Sequence, residues 1–286
     1  MAAVELFKKK YPKQTENING KIFPYRYYKN ENSNKTVVLL TGGIGLSDLL
    51  LFHFEEFSKS YSVISFDYPI AYSSIQELVE AIAELIKKLN VTVFLIGQSL
   101  GGFIAQILAQ QHPEIVEGLI LSNTGTLSAE LDEKGTQCFR NMMKRIDKSL
   151  LMIKLVPFGF VKKNIKKAVL KKVTYLLSEE EKNVMSEICD EMINTLTKEY
   201  EIHMTLLLKD LQKHWNMKKS DFLRFQNRVL LILSDDDFTF DESIKRALID
   251  IMPSPKVITD IRGGHLALLL KIDKYTNYIT SFINNI

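Results

Sequence analysis

The segment Val91-Thr-Val-Phe-Leu-Ile-Gly-Gln-Ser-Leu-Gly-Gly-Phe-Ile-Ala-Gln106 places a strand pattern directly before a helix pattern. The β-branched and apolar run ending at Ile96 predicts a buried strand, and a helix is predicted from Ser99 to His112, before Pro113. Between them, Gly97 to Gly101 fits G-x-S-x-G, which occurs by chance roughly 0.1 times in a chain of this length. The strand-to-helix context gives the pattern a physical use. A sharp turn lifts the Ser99 hydroxyl above a sheet, and flanking glycines relieve backbone crowding.

Strand and helix patterns alternate on both sides of this segment. Further strands are predicted at Lys21–Tyr28, Lys35–Leu40, Tyr61–Phe66, Val116–Leu121, Val229–Ser234 and Lys256–Thr259. Further helices are predicted at Ser74–Leu89, Glu242–Ile251 and Ala267–Ile283. Asn19-Gly20 before the first of these strands indicates a β-hairpin. Strands separated by helices of this length predict an α/β fold, with a mostly parallel sheet covered by helices on both faces.

The alternation stops in the middle of the chain, where helical periodicity continues without a convincing strand. We therefore predict an α/β core at residues 1–126 and 222–286, with a helical cap inserted at 127–221. From Arg140 to Lys172 the insertion has eleven Lys/Arg and one acid, and from Ser178 to Glu201 it has eight acids and two lysines. A basic cap could attract an anionic substrate or make weak contact with a membrane surface. We favour the simpler interpretation, in which the two oppositely charged segments pack together.

Composition narrows the class of protein. The chain has 286 residues with 37 Lys+Arg, 34 Asp+Glu and 46% hydrophobic residues, as in an ordinary globular protein. The net charge of +3 gives no reason to expect a nucleic-acid partner. Two distant cysteines, Cys138 and Cys189, favour a reduced cytoplasmic setting. No signal-peptide pattern or membrane-spanning run is expected, and the other histidines lack metal-ligand spacing. The sequence predicts no oligomeric state.

Two further polar segments follow predicted strands. Asp235-Asp236-Asp237 comes after the strand that ends at Ser234, and Gly263-Gly264-His265 comes after the short strand that follows. Serine is a poor nucleophile unless a base takes its proton, and the base needs an acid to orient it. Loops at the carboxyl ends of parallel strands meet at one edge of the sheet. We therefore expect Ser99, His265 and one of the three aspartates to lie together, whereas Asn123, after another strand, cannot act as a carboxylate.

Four motifs together resemble the α/β-hydrolase superfamily over nearly the whole chain. The first is a strand and the turn that supplies an oxyanion-hole N–H, at Val37–Gly43. The second is the nucleophile elbow, the strand-to-helix turn at Gly97–Gly101. The others are the strand and acid at Leu230–Phe238 and the histidine motif at Gly263–Leu266. The resemblance implies an eight-stranded sheet and a Ser99–His265–Asp237 triad, although Asp235 or Asp236 is the acid if the strand ends earlier. It also implies oxyanion donors at the Gly43 and Leu100 N–H groups and no metal or organic cofactor. The usual His-Gly of the oxyanion turn is replaced by Thr41-Gly42.

The resemblance implies a serine hydrolase for a small-molecule acyl substrate, with carboxylic esters favoured and thioesters next. Relatives that act on epoxides or haloalkanes carry Asp at the elbow, so Ser99 argues against those reactions. The passage after Phe66, with Gln98–Gln106 and Gly118–Asn123, is similar to the maspardin branch of the superfamily, whose members are regarded as binding partners. A non-catalytic binding protein is therefore the alternative. Amide, peptide or carbon–carbon bond hydrolysis ranks lower.

Overall fold

The computed structural model describes residues 3–173 and 179–286. The eight strands are β1 (Gln14–Ile18), β2 (Lys21–Tyr28), β3 (Thr36–Leu40), β4 (Ser62–Ser65), β5 (Val93–Gln98), β6 (Val116–Ser122), β7 (Val229–Ile232) and β8 (Lys256–Ile258). They form a single sheet in the order β1-β2-β4-β3-β5-β6-β7-β8. The β1–β2 hairpin and the β2–β4 pair are antiparallel, and every other pair is parallel. The predicted fold class is confirmed.

Alternation along the strands builds two apolar layers. On β3, Val38 and Leu40 belong to the core on one face of the sheet, and Val37 and Leu39 belong to the core on the other. All four are essentially inaccessible to solvent. Helices cover both faces of the sheet, and a strand that is buried on both sides is apolar at every position. This explains why the sequence of β3 shows no polar alternation.

Eleven helices lie in the described part of the chain. They are α1 (Ala3–Lys10), α2 (Leu51–Ser58), α3 (Ile75–Lys88), α4 (Leu100–Gln111), α5 (Glu133–Leu155), α6 (Phe158–Val173), α7 (Glu179–Thr195), α8 (Lys198–Asp210), α9 (Glu242–Ile251), α10 (Ala267–Leu270) and α11 (Ile272–Asn284). Helices α3, α4 and α9 pack on one face of the sheet, and α1, α2 and α11 pack on the other. Within the described residues, no helix combines the length and the hydropathy needed to cross a membrane.

Helices α5 to α8 all lie between β6 and β7 in the sequence. Helix α5 packs against α8, and basic α6 packs against acidic α7, where Lys166 forms an ion pair with Asp190. The expected packing of oppositely charged segments therefore occurs between α6 and α7; Ser178, where the acidic segment begins, lies outside the described residues. The two ends of the insertion are joined by backbone hydrogen bonds of 3.1 Å, from the Met217 N–H to the Leu127 carbonyl and from the Ala129 N–H to the Met217 carbonyl.

The structure departs from the predicted elements at the last predicted helix and at two short helices early in the chain. The helix predicted at Ala267–Ile283 is broken at Lys271, whose backbone leaves the helical region (φ −127°, ψ 51°). The break lets α10 bury all four of its residues while α11 turns Tyr275 and Ile279 to the same core. Helices α1 and α2 were not predicted, because eight residues are too few to show a clear helical period.

Candidate active site

Ser99 lies on a strained turn between β5 and α4. Its backbone has φ 52° and ψ −115°, a region that non-glycine residues rarely adopt and that costs on the order of 1–3 kcal/mol. The flanking glycines permit the turn. A Cβ on Gly101 would lie 2.2 Å from the Leu40 carbonyl oxygen, and one on Gly97 would lie 2.3 Å from the Gly101 carbonyl oxygen. The turn leaves Ser99 partly exposed above the sheet.

The structure brings Ser99, His265 and Asp237 into one chain of hydrogen bonds. The His265 Nε2 atom lies 3.0 Å from the Ser99 Oγ atom, and the His265 Nδ1 atom lies 2.8 Å from the Asp237 Oδ2 atom. Because a carboxylate can only accept, it selects the tautomer with a proton on Nδ1. Nε2 is then free to accept the Ser99 proton. The three residues come from the carboxyl ends of β5, β7 and β8, the edge of the sheet at which they were predicted to meet.

Asp237 is held as a carboxylate in a nearly closed site. Only 2% of the residue's surface is exposed. Burial by itself would raise its pKa, but the hydrogen bond and charge of His265, together with the Thr239 N–H, hold the pKa below its ordinary value of 3.8. A lowered carboxyl pKa means that this group stabilises the fold above pH 3.8 and loses that contribution as the pH falls through the folded-state pKa. At neutral pH the group is therefore ionised.

The three consecutive aspartates make different contacts. Asp235 lies at the surface and forms an ion pair of 3.2 Å with Arg262. Asp236 accepts hydrogen bonds of 3.0 Å and 2.9 Å from the N–H groups of Gly263 and Gly264, the two residues before His265. Only Asp237 contacts the imidazole. The geometry therefore distinguishes the alternatives that the sequence left open.

Two further side chains fix the loop that carries His265, and the sequence analysis gave them no such role. Asn123, at the end of β6, donates to the Gly264 carbonyl (2.8 Å) and accepts from the Ser234 N–H (2.8 Å). Gln98 donates to the His265 carbonyl (3.0 Å), and its Oε1 atom occupies the space that a side chain on Gly42 would need. The position of Asn123 at a strand end was the available signal, because polar side chains there face the same edge of the sheet.

The expected oxyanion donors are the N–H of Leu100, the residue after Ser99, and the N–H of Gly43, in a turn that borders the serine. Leu100 is the first residue of α4, so its N–H points out of the helix end, where partial positive charge accumulates. Gly43 belongs to the turn after β3, which is closed by a 3.0 Å hydrogen bond from the Gly45 N–H to the Gly42 carbonyl. A Cβ on Gly42 would lie 3.5 Å from the Ser99 Cβ atom, so this turn borders the serine. Neither the Gly43 nor the Leu100 N–H has a hydrogen-bond partner within the residues described.

Two tyrosines donate hydrogen bonds to the turn from Thr41 to Gly45. The Tyr68 hydroxyl donates to the Thr41 carbonyl, and the Tyr200 hydroxyl donates to the Gly45 carbonyl, each at 2.7 Å. Burial raises the pKa of both hydroxyls, which keeps them protonated as donors. Tyr200 belongs to α8, so the insertion contacts the turn from Thr41 to Gly45 directly. The sequence analysis missed this role, because Tyr200 lies far from Gly45 in the sequence.

A mostly parallel eight-stranded sheet with a serine turn after β5, an acid after β7 and a histidine after β8 defines an α/β-hydrolase. The chain belongs to the hydrolase family described as serine aminopeptidase, S33, whose model matches residues 65–265. No curated protein is similar enough in sequence to count as a match.

Solved structures show the same fold at low sequence identity. A hydrolase from Pseudomonas aeruginosa PA01 superposes with a TM-score of 0.73 at 16% identity, covering 95% of this chain and 98% of that one. An enol-lactonase from Burkholderia xenovorans LB400 gives 0.71 at 18% identity, with 95% and 100% covered. An epoxide hydrolase from Bacillus megaterium gives 0.72 at 19% identity, also with 95% and 100% covered.

Proposed function

We propose that the chain is a serine hydrolase that cleaves carboxylic esters, and thioesters next, by way of an acyl-enzyme. One observation carries the proposal: the unbroken hydrogen-bond chain from the Ser99 Oγ through His265 to the ionised Asp237. Such a chain gives serine the base it needs and gives the base its orientation.

Acylation uses each of the three side chains. The Ser99 oxygen forms a bond to the acyl carbon of the substrate while its proton passes to His265 Nε2. Asp237 stabilises the imidazolium that results. The N–H groups of Leu100 and Gly43 donate hydrogen bonds to the negatively charged former carbonyl oxygen, and each bond is worth on the order of 3 kcal/mol in the transition state.

The attack forms a tetrahedral intermediate. Its collapse breaks the bond to the leaving alcohol or thiol, which takes the proton from His265. Water then attacks the acyl carbon with His265 again as base, and Ser99 is released with its proton restored. These steps need only the substrate, water and residues of this chain.

Apolar side chains around the triad support an acyl substrate. Leu208 of α8 lies next to Gly43, with its Cδ1 atom 3.4 Å from the position of a Cβ on that glycine. The ring of Phe240 lies 5.9 Å from that of His265, centre to centre. An apolar wall beside the oxyanion turn suits the hydrocarbon part of an ester.

We also propose that residues 127–221 act as a cap on a core formed by 1–126 and 222–286. Backbone hydrogen bonds between Leu127, Ala129 and Met217 bring the two ends of the insertion together. Tyr200, Met204 and Leu208 of α8 line the oxyanion turn. A cap in this position would set substrate selectivity.

Loss of the Tyr200 hydroxyl tests this link between cap and turn. We expect Tyr200→Phe to lower kcat about tenfold, the value of one buried hydrogen bond, with little change in KM. Steady-state kinetics on a short ester would measure both. Tyr278→Phe is the matched control, because its hydroxyl binds Asp260 at the surface. A Tyr200→Phe enzyme with wild-type kcat would show that the turn holds its shape without this contact.

The alternative is a non-catalytic binding protein of the maspardin type, in which no base activates the Ser99 hydroxyl. A serine sealed from solvent, or one too far from His265 for a hydrogen bond, would have favoured it. The partial exposure of Ser99 and the 3.0 Å distance support the hydrolase instead. The maspardin resemblance stays a prediction.

Amide or peptide hydrolysis is the second candidate activity, because the matching family is described as serine aminopeptidase. An aminopeptidase needs a free carboxylate to hold the substrate amine. Three carboxylates line a groove of about 580 Å³, those of Asp48, Asp67 and Glu191. Glu191 is paired with Lys8 at 2.5 Å, Asp48 with the buried Arg26 at 2.7 Å, and Asp67 with Lys13. All three carboxylates of this groove are therefore engaged, and esters stay the favoured substrates.

Hydrolysis of p-nitrophenyl esters from acetate to decanoate, with a matched thioester series, tests the proposal. We expect saturable turnover with an optimum at short to medium acyl length, because Leu208 and Phe240 give the acyl chain apolar contacts. Leucine p-nitroanilide is the matched amide substrate. Turnover of the amide above every ester would favour the peptidase, and no turnover of any substrate would favour the binding protein.

A further inference from the structure

The turn between α5 and α6 displays large apolar side chains to solvent. Leu151, Met152, Leu155 and Phe160 form what we call the apolar corner, and their exposed fractions are 58%, 54%, 74% and 64%. The corner is not a frayed end. Ile153 and Val161, from the same two helices, are buried and fasten it to the insertion.

Lysines flank the apolar corner in the sequence. From Lys148 to Lys167 there are six lysines and no acid, and the nearest acid before this stretch, Asp147, is paired with Lys209. Lys148, Lys154 and Lys163 are exposed and form no ion pair with any residue that the structure describes. Lys166, by contrast, faces α7 and pairs with Asp190. The positive charge at the corner is thus separate from the charge that α6 uses to pack against α7.

Exposed apolar side chains with lysines on either side in the sequence complement the surface of an anionic lipid bilayer. The hydrocarbon side chains enter the boundary between headgroups and acyl chains, and the ammonium groups remain at the lipid phosphates. A second copy of this chain complements the corner poorly, because an isologous contact would set the same lysines against each other. A nucleic acid would meet the charge but would leave Leu151, Met152 and Leu155 without a partner.

We propose that the apolar corner docks this protein on anionic membrane surfaces. Helix α6, which carries Phe160 of the corner, also contacts the segment Gly264–Leu266, which carries His265. The corner and the candidate active site are therefore linked through one helix. The docking itself does not depend on the hydrolytic function, so the two proposals fail separately.

Co-sedimentation with vesicles tests the docking. We expect the full chain to bind mixed phosphatidylcholine–phosphatidylglycerol vesicles at least about tenfold more tightly than phosphatidylcholine vesicles. Binding should weaken as NaCl is raised from about 0.05 M to about 0.5 M, because the lysine contribution is screened. The double variant Leu155→Glu with Phe160→Glu should lose binding at least about tenfold, since it removes two apolar anchors and adds two negative charges.

The matched control is the double variant Ile22→Glu with Leu223→Glu. Both residues are apolar and 57% exposed, and both lie outside the insertion helices. This control should bind vesicles like the wild type, and thermal unfolding should show that both double variants are folded. The proposal is overturned if the wild type does not sediment with anionic vesicles or if the control loses as much binding as the corner variant. Size-exclusion chromatography in which only the corner variant changes from dimer to monomer would also overturn it, by assigning the corner to a contact between copies.

Discussion

Replacing Ser99 with alanine is expected to lower kcat for ester hydrolysis by about four to six orders of magnitude. In the proposed mechanism the Oγ atom bonds to the acyl carbon, and no other hydroxyl is hydrogen-bonded to His265 among the residues described. KM should change much less than kcat, because the remaining pocket still binds the ester. Steady-state kinetics at saturating p-nitrophenyl ester would measure the loss.

Ser254→Ala is the matched control for this variant. Ser254 is also a serine with positive φ (48°), and its hydroxyl makes a single side-chain hydrogen bond, from Gln226 at the surface. Its removal should leave kcat unchanged. A Ser99→Ala enzyme that kept activity within about tenfold of wild type would show that the nucleophile is another group.

Replacing Asp237 with asparagine is expected to lower kcat by about four orders of magnitude. The amide NH₂ of asparagine can donate to Nδ1, which favours the wrong imidazole tautomer. Nε2 would then carry the proton and could not accept one from Ser99. The neutral amide also removes the charge that stabilises the imidazolium, and it does so at a site with only 2% exposure.

The neighbouring aspartates provide an internal control series. Asp235→Asn should leave kcat unchanged, because Arg262 at the surface is the one side chain that pairs with Asp235 among the residues described. Asp236→Asn should lower kcat about tenfold, since it weakens the hydrogen bonds that place Gly263 and Gly264 before His265. A larger loss in Asp235→Asn than in Asp237→Asn would contradict the assignment of the acid.

Much of the fold followed from sequence because its signals are local. A buried strand that runs into Gly97-x-Ser99 has few other physical uses, and the order of strand patterns predicted where Asp237 and His265 would lie. The resemblance of Leu230–Phe238 to a strand-and-acid motif indicated the aspartate that contacts the imidazole, although β7 ends at Ile232, before the predicted Ser234. In each case one short segment contained both the strand and the residue it positions.

The contacts that support the site were not predictable in this way, because they join distant segments. Tyr200 reaches Gly45 from the insertion, and nothing in a helix pattern reveals which turn its hydroxyl meets. The sequence analysis considered Asn123 only as a residue that cannot act as a carboxylate. In the structure its side chain links the end of β6 to the loop that carries His265. The exposure of Leu155 and Phe160 was also hidden, since an apolar residue on a helix is more often buried than displayed.

The most direct test of the central claim is labelling with a fluorophosphonate. The expected reaction forms a bond from the Ser99 oxygen to phosphorus and releases fluoride, with the serine proton passing to His265. Intact mass spectrometry should then show one adduct per chain, and peptide mapping should locate it on Ser99. An absence of adduct on folded protein, or an adduct on another residue, would contradict the account.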